Sequence, residues 1–188
     1  VGDILCGLGD MTEIGQIRGV VSGYLGSVGQ TDAIADFVDS WQHVGSGSYI
    51  LDPVLGDRGR LYLPEELAQA MIETLLPRAD IITPNNFELG FLAGMVVSDR
   101  ASAETAAQHL MTTTKLQAVI ATGIDDGADG VGDLLVTRSG GGVWCDAGPN
   151  SRNVAGGGDL LTAILAGQLA RGVAVDPAFR TASRTAQE

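Results

Sequence analysis

Basic residues are scarce in this chain of 188 residues: 11 Lys and Arg stand against 23 Asp and Glu, a formal charge of −12. No basic stripe is available to neutralise a phosphate backbone, which excludes a nucleic-acid binder. A nucleotide site stays open, because a few backbone amides and a metal ion suffice there. Cysteine is almost absent. Cys6 and Cys145 have no metal or redox spacing and make no disulfide framework. A reduced, cytoplasmic setting is the expectation. No apolar run approaches the roughly 20 residues of a membrane span, and no signal peptide is visible. Aromatic residues make up 5% of the chain, so the core is expected to be aliphatic, with Trp41 and Trp144 as packing residues. The two histidines, His43 and His109, fall in helical, exposed settings and carry no role.

Apolar residues and glycine are plentiful. A hydrophobic share of 45% supports a real core, and 27 glycines suggest many tight strand–helix turns. Length and composition fit one domain over 1–188. Ile4, Leu5, Leu8, Met11 and Ile14 form a loose helix face, weakened by Gly7 and Gly9. A strand from Arg18 leaves through Gly23-Tyr24-Leu25-Gly26. Ile34, Phe37, Val38 and Trp41 have helical spacing within 31–44. Strand Tyr49–Leu51, helix Pro64–Leu76, strand Ile81–Thr83 and helix Asn86–Leu92 follow. Next come helix Ser102–Met111 with Ser102 as N-cap and strand Ala118–Ala121. An antiparallel hairpin, Gly132–Thr137 with Gly142–Cys145, precedes helix Asp159–Arg171. Strands alternating with helices predict an α/β fold, a mostly parallel sheet covered on both faces. Asp125–Gly130 lacks the closing Glu of a calcium loop and reads as a solvated loop.

The richest segment is Gly156-Gly157-Gly158-Asp159 at the start of the last of these helices. Glycines at a helix start expose unpaired N–H groups, and the helix dipole adds positive charge, so the place suits phosphate. Alone, such a run is more often a tight loop than a nucleotide site, by roughly two to one. It is neither a Walker loop nor a dinucleotide fingerprint. Asp159 is either a helix cap or a general base beside an anion. Two upstream segments sharpen the choice. Tyr49 to Asp57 is a buried strand stopping at an acid and a proline; Ala79 to Glu88 repeats that design. Ligands of open α/β sheets bind beyond the carboxyl ends of strands. Asp52, Asp57, Asn85 and Glu88 are therefore expected to converge with Asp159. Acids around a phosphate site imply Mg²⁺, held by oxygen ligands and substrate phosphates. The bland reading makes Asp52 and Asp57 turn formers and Glu88 ordinary helix-start charge.

Ser22-Gly23-Tyr24-Leu25-Gly26-Ser27, Asp52-Pro53-Val54-Leu55-Gly56-Asp57, Thr83-Pro84-Asn85-Asn86-Phe87-Glu88 and Gly156-Gly157-Gly158-Asp159 occur in order. Together they resemble the pyridoxal kinases of the ribokinase-like superfamily. The resemblance implies a three-layer α/β/α sandwich, here expected to be incomplete at both ends: the N-terminal ring-binding region and the C-terminal helix region lie outside it. It implies ATP-dependent phosphorylation of the pyridoxal hydroxymethyl group in B6 salvage, Mg²⁺ as cofactor, a homodimer and a cytoplasmic location.

The resemblance also implies residue roles. Asp159 is the catalytic base and touches substrate. Gly156, Gly157 and Gly158 form the anion hole, with Gly157 where the family commonly has Thr. Asp52 and Glu88 hold Mg²⁺, partly through water, and with Asn85 and Thr122 bind ATP. Asp57 shapes the phosphate region, Tyr24 borders the pyridoxal ring, and 148–153 lies over the nucleotide base. Two alternatives stay open. A hydroxymethylpyrimidine kinase shares the fold, but that group commonly carries Cys where Asp159 stands and a Gly-Met element where Gly23-Tyr24 stands. A non-catalytic nucleotide- or vitamer-binding relative is the other.

Overall fold

The computed structural model describes residues 1–127, 130–147 and 156–187. Its centre is a six-stranded sheet. In chain order the strands are β1 (Gly19–Ser22), β2 (Ser48–Leu51), β5 (Ile81–Ile82), β6 (Ala118–Asp125), β7 (Val131–Thr137) and β8 (Gly142–Ala147). That is also their spatial order. The first four run parallel. β7 and β8 close the sheet antiparallel, as the predicted hairpin. A short antiparallel ribbon, β3 (Gly56–Asp57) with β4 (Arg60–Leu61), stands apart from the sheet.

Side-chain alternation along the strands sorts the core into two layers. Tyr49, Leu51, Ile82, Val119, Ala121, Leu134 and Val136 face one side. There they meet α2 (Val28–Gln42), α3 (Glu65–Ala70) and α5 (Arg100–Thr113) through residues such as Phe37, Trp41, Leu67 and Leu110. Ile50, Ile81, Ala118, Ile120 and Leu135 face the other, against α6 (Gly157–Ala170) and α7 (Val175–Ala186) through Leu161, Leu165 and Phe179. A period of two with both faces apolar is what a sheet buried between helix layers requires. The observed architecture is thus the expected three-layer α/β/α sandwich. Trp41 is fully buried, and its indole N–H donates to the Ile17 carbonyl at 3.0 Å. The remaining helices are α1 (Gly2–Gly9), which lies on α2, and α4 (Asn86–Ala93).

Several sequence expectations shift. The helix expected over 64–76 is broken: α3 ends at Ala70, a π turn spans Met71–Leu75 and a 3₁₀ turn spans Leu76–Arg78. Pro77 explains the end, since it lacks the N–H that a continuing helix needs. Pro64 is the N-cap rather than a first-turn residue. Ser102 is not the N-cap of α5. Asp99 is, its carboxylate accepting from the Ser102 N–H at 2.8 Å while the Ser102 hydroxyl closes the capping box. α6 starts earlier than Asp159, at Gly157, so of the three glycines Gly156 alone holds a left-handed backbone, at φ 88°. The expected base-covering segment 148–153, and Asp129 of the solvated loop, lie outside the described residues.

Candidate active site

Three adjacent parallel strands deliver the site. β2 stops at Leu51 and hands the chain to Asp52; β5 stops at Ile82 and hands it to Thr83; β6 carries Thr122 past its parallel partner. The Asp52 N–H is tied to the Ser22 carbonyl at 2.9 Å, which fixes it level with the end of β1. Its side chain is buried, at 8% exposure. The Thr162 hydroxyl, from the second turn of α6, lies 3.2 Å from Asp52 Oδ2 and 2.9 Å from Thr83 Oγ1. One buried hydroxyl thus joins α6 to the ends of β2 and β5. Asp159 precedes Thr162 by three residues, nearly one helical turn, so both lie on one face. Asp159 itself is exposed, and its charge reaches Asp52. Burial, then the neighbouring Glu88 carboxylate, push the Asp52 carboxyl up to about 7; the Asp159 charge adds to this, against the pull of the Thr162 and Thr83 hydroxyls.

Glu88 does two jobs in backbone geometry. As the third residue of α4 it closes a capping box: its Oε2 accepts from the Asn85 N–H at 2.9 Å, and Asn85 Oδ1 accepts from the Glu88 N–H at 2.9 Å. Its Oε1 accepts from the N–H groups of Leu55 at 2.8 Å and Gly56 at 3.3 Å. The carboxylate therefore pins the 52–56 turn onto the start of α4. Burial raises its proton affinity, and the three backbone donors oppose that rise. Asn85 also donates from Nδ2 to the Gly56 carbonyl at 2.8 Å, reinforcing the same junction. The turn needs this support. Val54 holds a φ of 32°, rare for a β-branched residue. A side chain at Gly56 would run into the Arg60 carbonyl and the Phe87 ring.

The remaining candidates fall around this cluster. Thr122 is half-buried, forms a parallel bridge with Asn85, and its N–H donates to the Pro84 carbonyl at 2.9 Å. Asp57 sits on β3, accepts from its neighbour's N–H (Arg58) at 2.7 Å, and is near enough for its charge to act on Glu88. Gly156, Gly157 and Gly158 form the start of α6, with no side-chain cap. Tyr24 is 67% exposed, which rules out a buried core role. The structure thus links Asn85, Glu88 and Thr122 through capping and bridge bonds, holds Asp52 through Thr162 within reach of the Glu88 charge, and sets Asp57 and Asp159 at their border. It places no bond between Tyr24 and the others.

Sequence reading passed over Thr83 and Thr162, and the part played by the Leu55 and Gly56 amides. The Asp-x-x-Thr spacing of Asp159 and Thr162 was the available signal, because it puts a buried hydroxyl one turn below an exposed acid.

Among the described residues no Lys or Arg pairs with Asp52, Glu88 or Asp159, so these acids face one another without a cationic partner. No cluster of three metal-ligating side chains exists among the described residues either. Mg²⁺ keeps several waters and needs only one or two carboxylates plus substrate phosphates, a donor set that Asp52 and Glu88 could supply. Two cavities, of about 230 Å³ beside β1 and α6 and about 290 Å³ between α1 and α2, lie away from the cluster.

A mostly parallel sheet between helix layers, with acids and a helix start gathered at the carboxyl ends of its strands, defines an α/β protein whose candidate site lies where ligands of open α/β sheets bind. The phosphomethylpyrimidine kinase family model matches residues 13–188, and the chain belongs to that family. The chain is 31% identical over 186 residues to the pyridoxal kinase PdxY of Rubrobacter xylanophilus, covering 95% of this chain and 63% of that protein. The crystal structure of pyridoxal kinase from Entamoeba histolytica superposes with a TM-score of 0.85 at 26% identity, over 98% of this chain and 66% of that one. Pyridoxal kinase from Leishmania donovani in complex with ADP and pyridoxamine gives a TM-score of 0.81 at 29% identity, over 98% and 65%. The fold is the ribokinase-like one of these neighbours. The chain spans less than two thirds of the length of these relatives.

Proposed function

We propose that this protein transfers the terminal phosphoryl group of ATP to the hydroxymethyl oxygen of pyridoxal and related B6 vitamers. The observation that carries the reading is the junction of Asp52 with α6. Thr162 holds Asp52 one turn below Asp159, at the helix start that bears the three glycines. The relatives add support: one is named a pyridoxal kinase, and another binds ADP and pyridoxamine.

In this reading Asp159, exposed at the mouth of the site, accepts the hydroxyl proton as the oxygen attacks phosphorus. The N–H groups of Gly156, Gly157 and Gly158 stabilise charge on the transferring group. Backbone donors do this without the Thr hydroxyl that Gly157 replaces. Asp52 and Glu88 hold Mg²⁺ partly through water, with Asn85 and Thr122 beside the ATP phosphates. Bound there, Mg²⁺ supplies charge neutralisation on the phosphates. Asp57 shapes the phosphate region and Tyr24 offers an exposed ring face to the vitamer. Homodimeric pairing and a cytoplasmic setting belong to the same reading.

A second reading, phosphorylation of hydroxymethylpyrimidine, is favoured by the family description itself. The deciding assay incubates the full-length protein with ATP and Mg²⁺ and either pyridoxal or hydroxymethylpyrimidine, following pyridoxal phosphate by absorbance and ADP by a coupled reaction. Turnover with pyridoxal and little with the pyrimidine supports the proposal. Turnover with the pyrimidine alone replaces it by the second reading. ATP binding without turnover on either substrate makes the protein a non-catalytic relative.

A further inference from the structure

Two buried hydroxyls flank Asp52. Thr162 of α6 and Thr83 at the end of β5 are each 3% exposed. Their oxygens lie 2.9 Å apart, and the Thr162 oxygen lies 3.2 Å from Asp52 Oδ2. The Thr83 hydroxyl bonds the same carboxylate. An ionised carboxylate only accepts, and each hydroxyl has one proton to give. The proton of Thr162 therefore runs toward Asp52, directly or by way of Thr83. Three groups from β2, β5 and α6 close into one buried ring.

This ring is the polar hold on α6. The rest of its contact with the sheet is apolar, Leu161 and Leu165 against Ile50, Ile81 and Ile120. Apolar burial is non-directional, whereas a hydrogen bond weakens steeply as its distance and angle depart from the optimum. Among the described residues, the bonds of Thr162 are the hydrogen bonds that tie α6 to the sheet. The turn before Thr162 has no hold of its own. It lacks a side-chain cap, and Asp159 and Leu160 are exposed. A Cβ at Gly156, Gly157 or Gly158 would meet no atom of the described residues within 4 Å. The helix backbone carries that turn, so its place over the sheet is inherited from Thr162, three residues beyond Asp159.

We propose that Thr162 is a positioning residue: its hydroxyl fixes α6 against Asp52 and Thr83, and so sets where Asp159 and the three glycine amides stand over the transferring phosphoryl group. The inference rests on the kinase reading above. It adds that turnover depends on a hydroxyl buried beneath the site.

The test compares the full-length protein with Thr162→Val, Thr162→Ser, Thr162→Ala and Thr83→Val. It reads kcat, the KM for the vitamer, ATP affinity by calorimetry and the urea midpoint. Val keeps the shape of Thr and loses the hydroxyl. A reacting group displaced by about 1 Å costs up to about 100-fold, so kcat of Thr162→Val should fall about 30-fold to 100-fold. The vitamer KM and ATP affinity should stay within about 3-fold. Ser keeps the hydroxyl, so its kcat should stay within about 3-fold of the parent although the lost methyl lowers its urea midpoint. Thr83→Val leaves the direct Thr162–Asp52 bond in place, and its kcat should fall by less than about 5-fold. A role in packing alone predicts the reverse order, with Val faster than Ser. Should Thr162→Val fail to fold, Ala against Ser isolates the same hydroxyl and should show the same loss. Parent-like kcat without the hydroxyl, a Ser variant as slow as Val or Ala, or equal falls in kcat and ATP affinity overturns the inference while leaving the kinase reading intact. Absence of turnover by the unmutated protein on both pyridoxal and hydroxymethylpyrimidine overturns that reading, and this inference with it.

Discussion

Asp52 and Asp133 are buried to almost the same depth, 8% and 7% exposed, and both have their proton affinity raised by burial. They differ in company. Each oxygen of Asp133 accepts a strong donor, one from a backbone N–H and one from a hydroxyl, and this opposes the cost of burial. Asp52 has threonine hydroxyls beside it, but the Glu88 and Asp159 charges press on it, and among the described residues no Lys or Arg pairs with it. Burying a carboxylate costs free energy unless it is matched. Asp133 is matched from within the fold, which makes it architecture. Asp52 lacks that match among the described residues, and in the kinase proposal it is left for a ligand to match. Glu88 stands between them: its three backbone donors make it a fastener of the 52–56 turn, although it lies in the acid cluster.

The largest effect that separates the two kinds of acid is expected at the rim. Asp159→Asn should lower kcat about 1,000-fold, the range of a lost general base, with ATP affinity nearly unchanged. Steady-state rates with calorimetric ATP titration check it. Equal losses in both quantities would make Asp159 a helix cap.

Glu88→Gln comes next. A carboxamide presents N–H groups to backbone N–H donors, so the variant should lose about 2–3 kcal/mol of stability in urea unfolding. The Mg²⁺ dependence of turnover should weaken as well. Full stability with an altered Mg²⁺ titration would show that the fastening role is minor and the metal role dominant.

Asp52 gives a prediction of opposite sign. Its carboxyl titrates at about 7 in the fold and at about 3.9 in an unfolded chain. Between those values the native state binds the extra proton, so stability falls as pH rises from about 4 to 7, and the full cost is present above 7. Asp52→Asn should therefore be more stable than the parent at pH 8, by about 1–3 kcal/mol. The gap should close toward pH 4. Mg²⁺ with ATP should narrow it in the parent. Thermal melts across pH give the answer; a variant less stable at pH 8 would show that Asp52 is matched as Asp133 is.

The smallest effect is expected at Tyr24. Its ring is exposed, so Tyr24→Ala should change stability by less than about 0.5 kcal/mol. The KM for pyridoxal should rise while ATP affinity holds. An unchanged KM would remove Tyr24 from the vitamer site.

Much of this was legible in the residues. The apolar run Tyr49-Ile50-Leu51 and the acid–proline stop after it marked a buried strand, and β2 does end at Leu51. The hairpin after Ala118–Ala121 was also legible, from its turn residues. The β3–β4 ribbon was not, because two-residue strands carry no period. The π turn after α3 was hidden for a similar reason: its residues keep an apolar face whichever helix type they adopt. Asp99 lost the N-cap to Ser102 on paper because both are good caps, and only the hydrogen bonds separate them.

The sequence by itself determined the class of fold and the identity of the acids at its edge. Those depend on local pattern: period two in strands, helical spacing between them, and Gly, Pro and Asp where the chain must turn. Only the tertiary structure decided which acid is matched. Asp52 meets Thr162 across 110 positions of sequence and Asp133 meets Ser183 across 50. Whether a buried carboxylate receives its donors is set by elements that pack together after folding, and no local pattern carries that information.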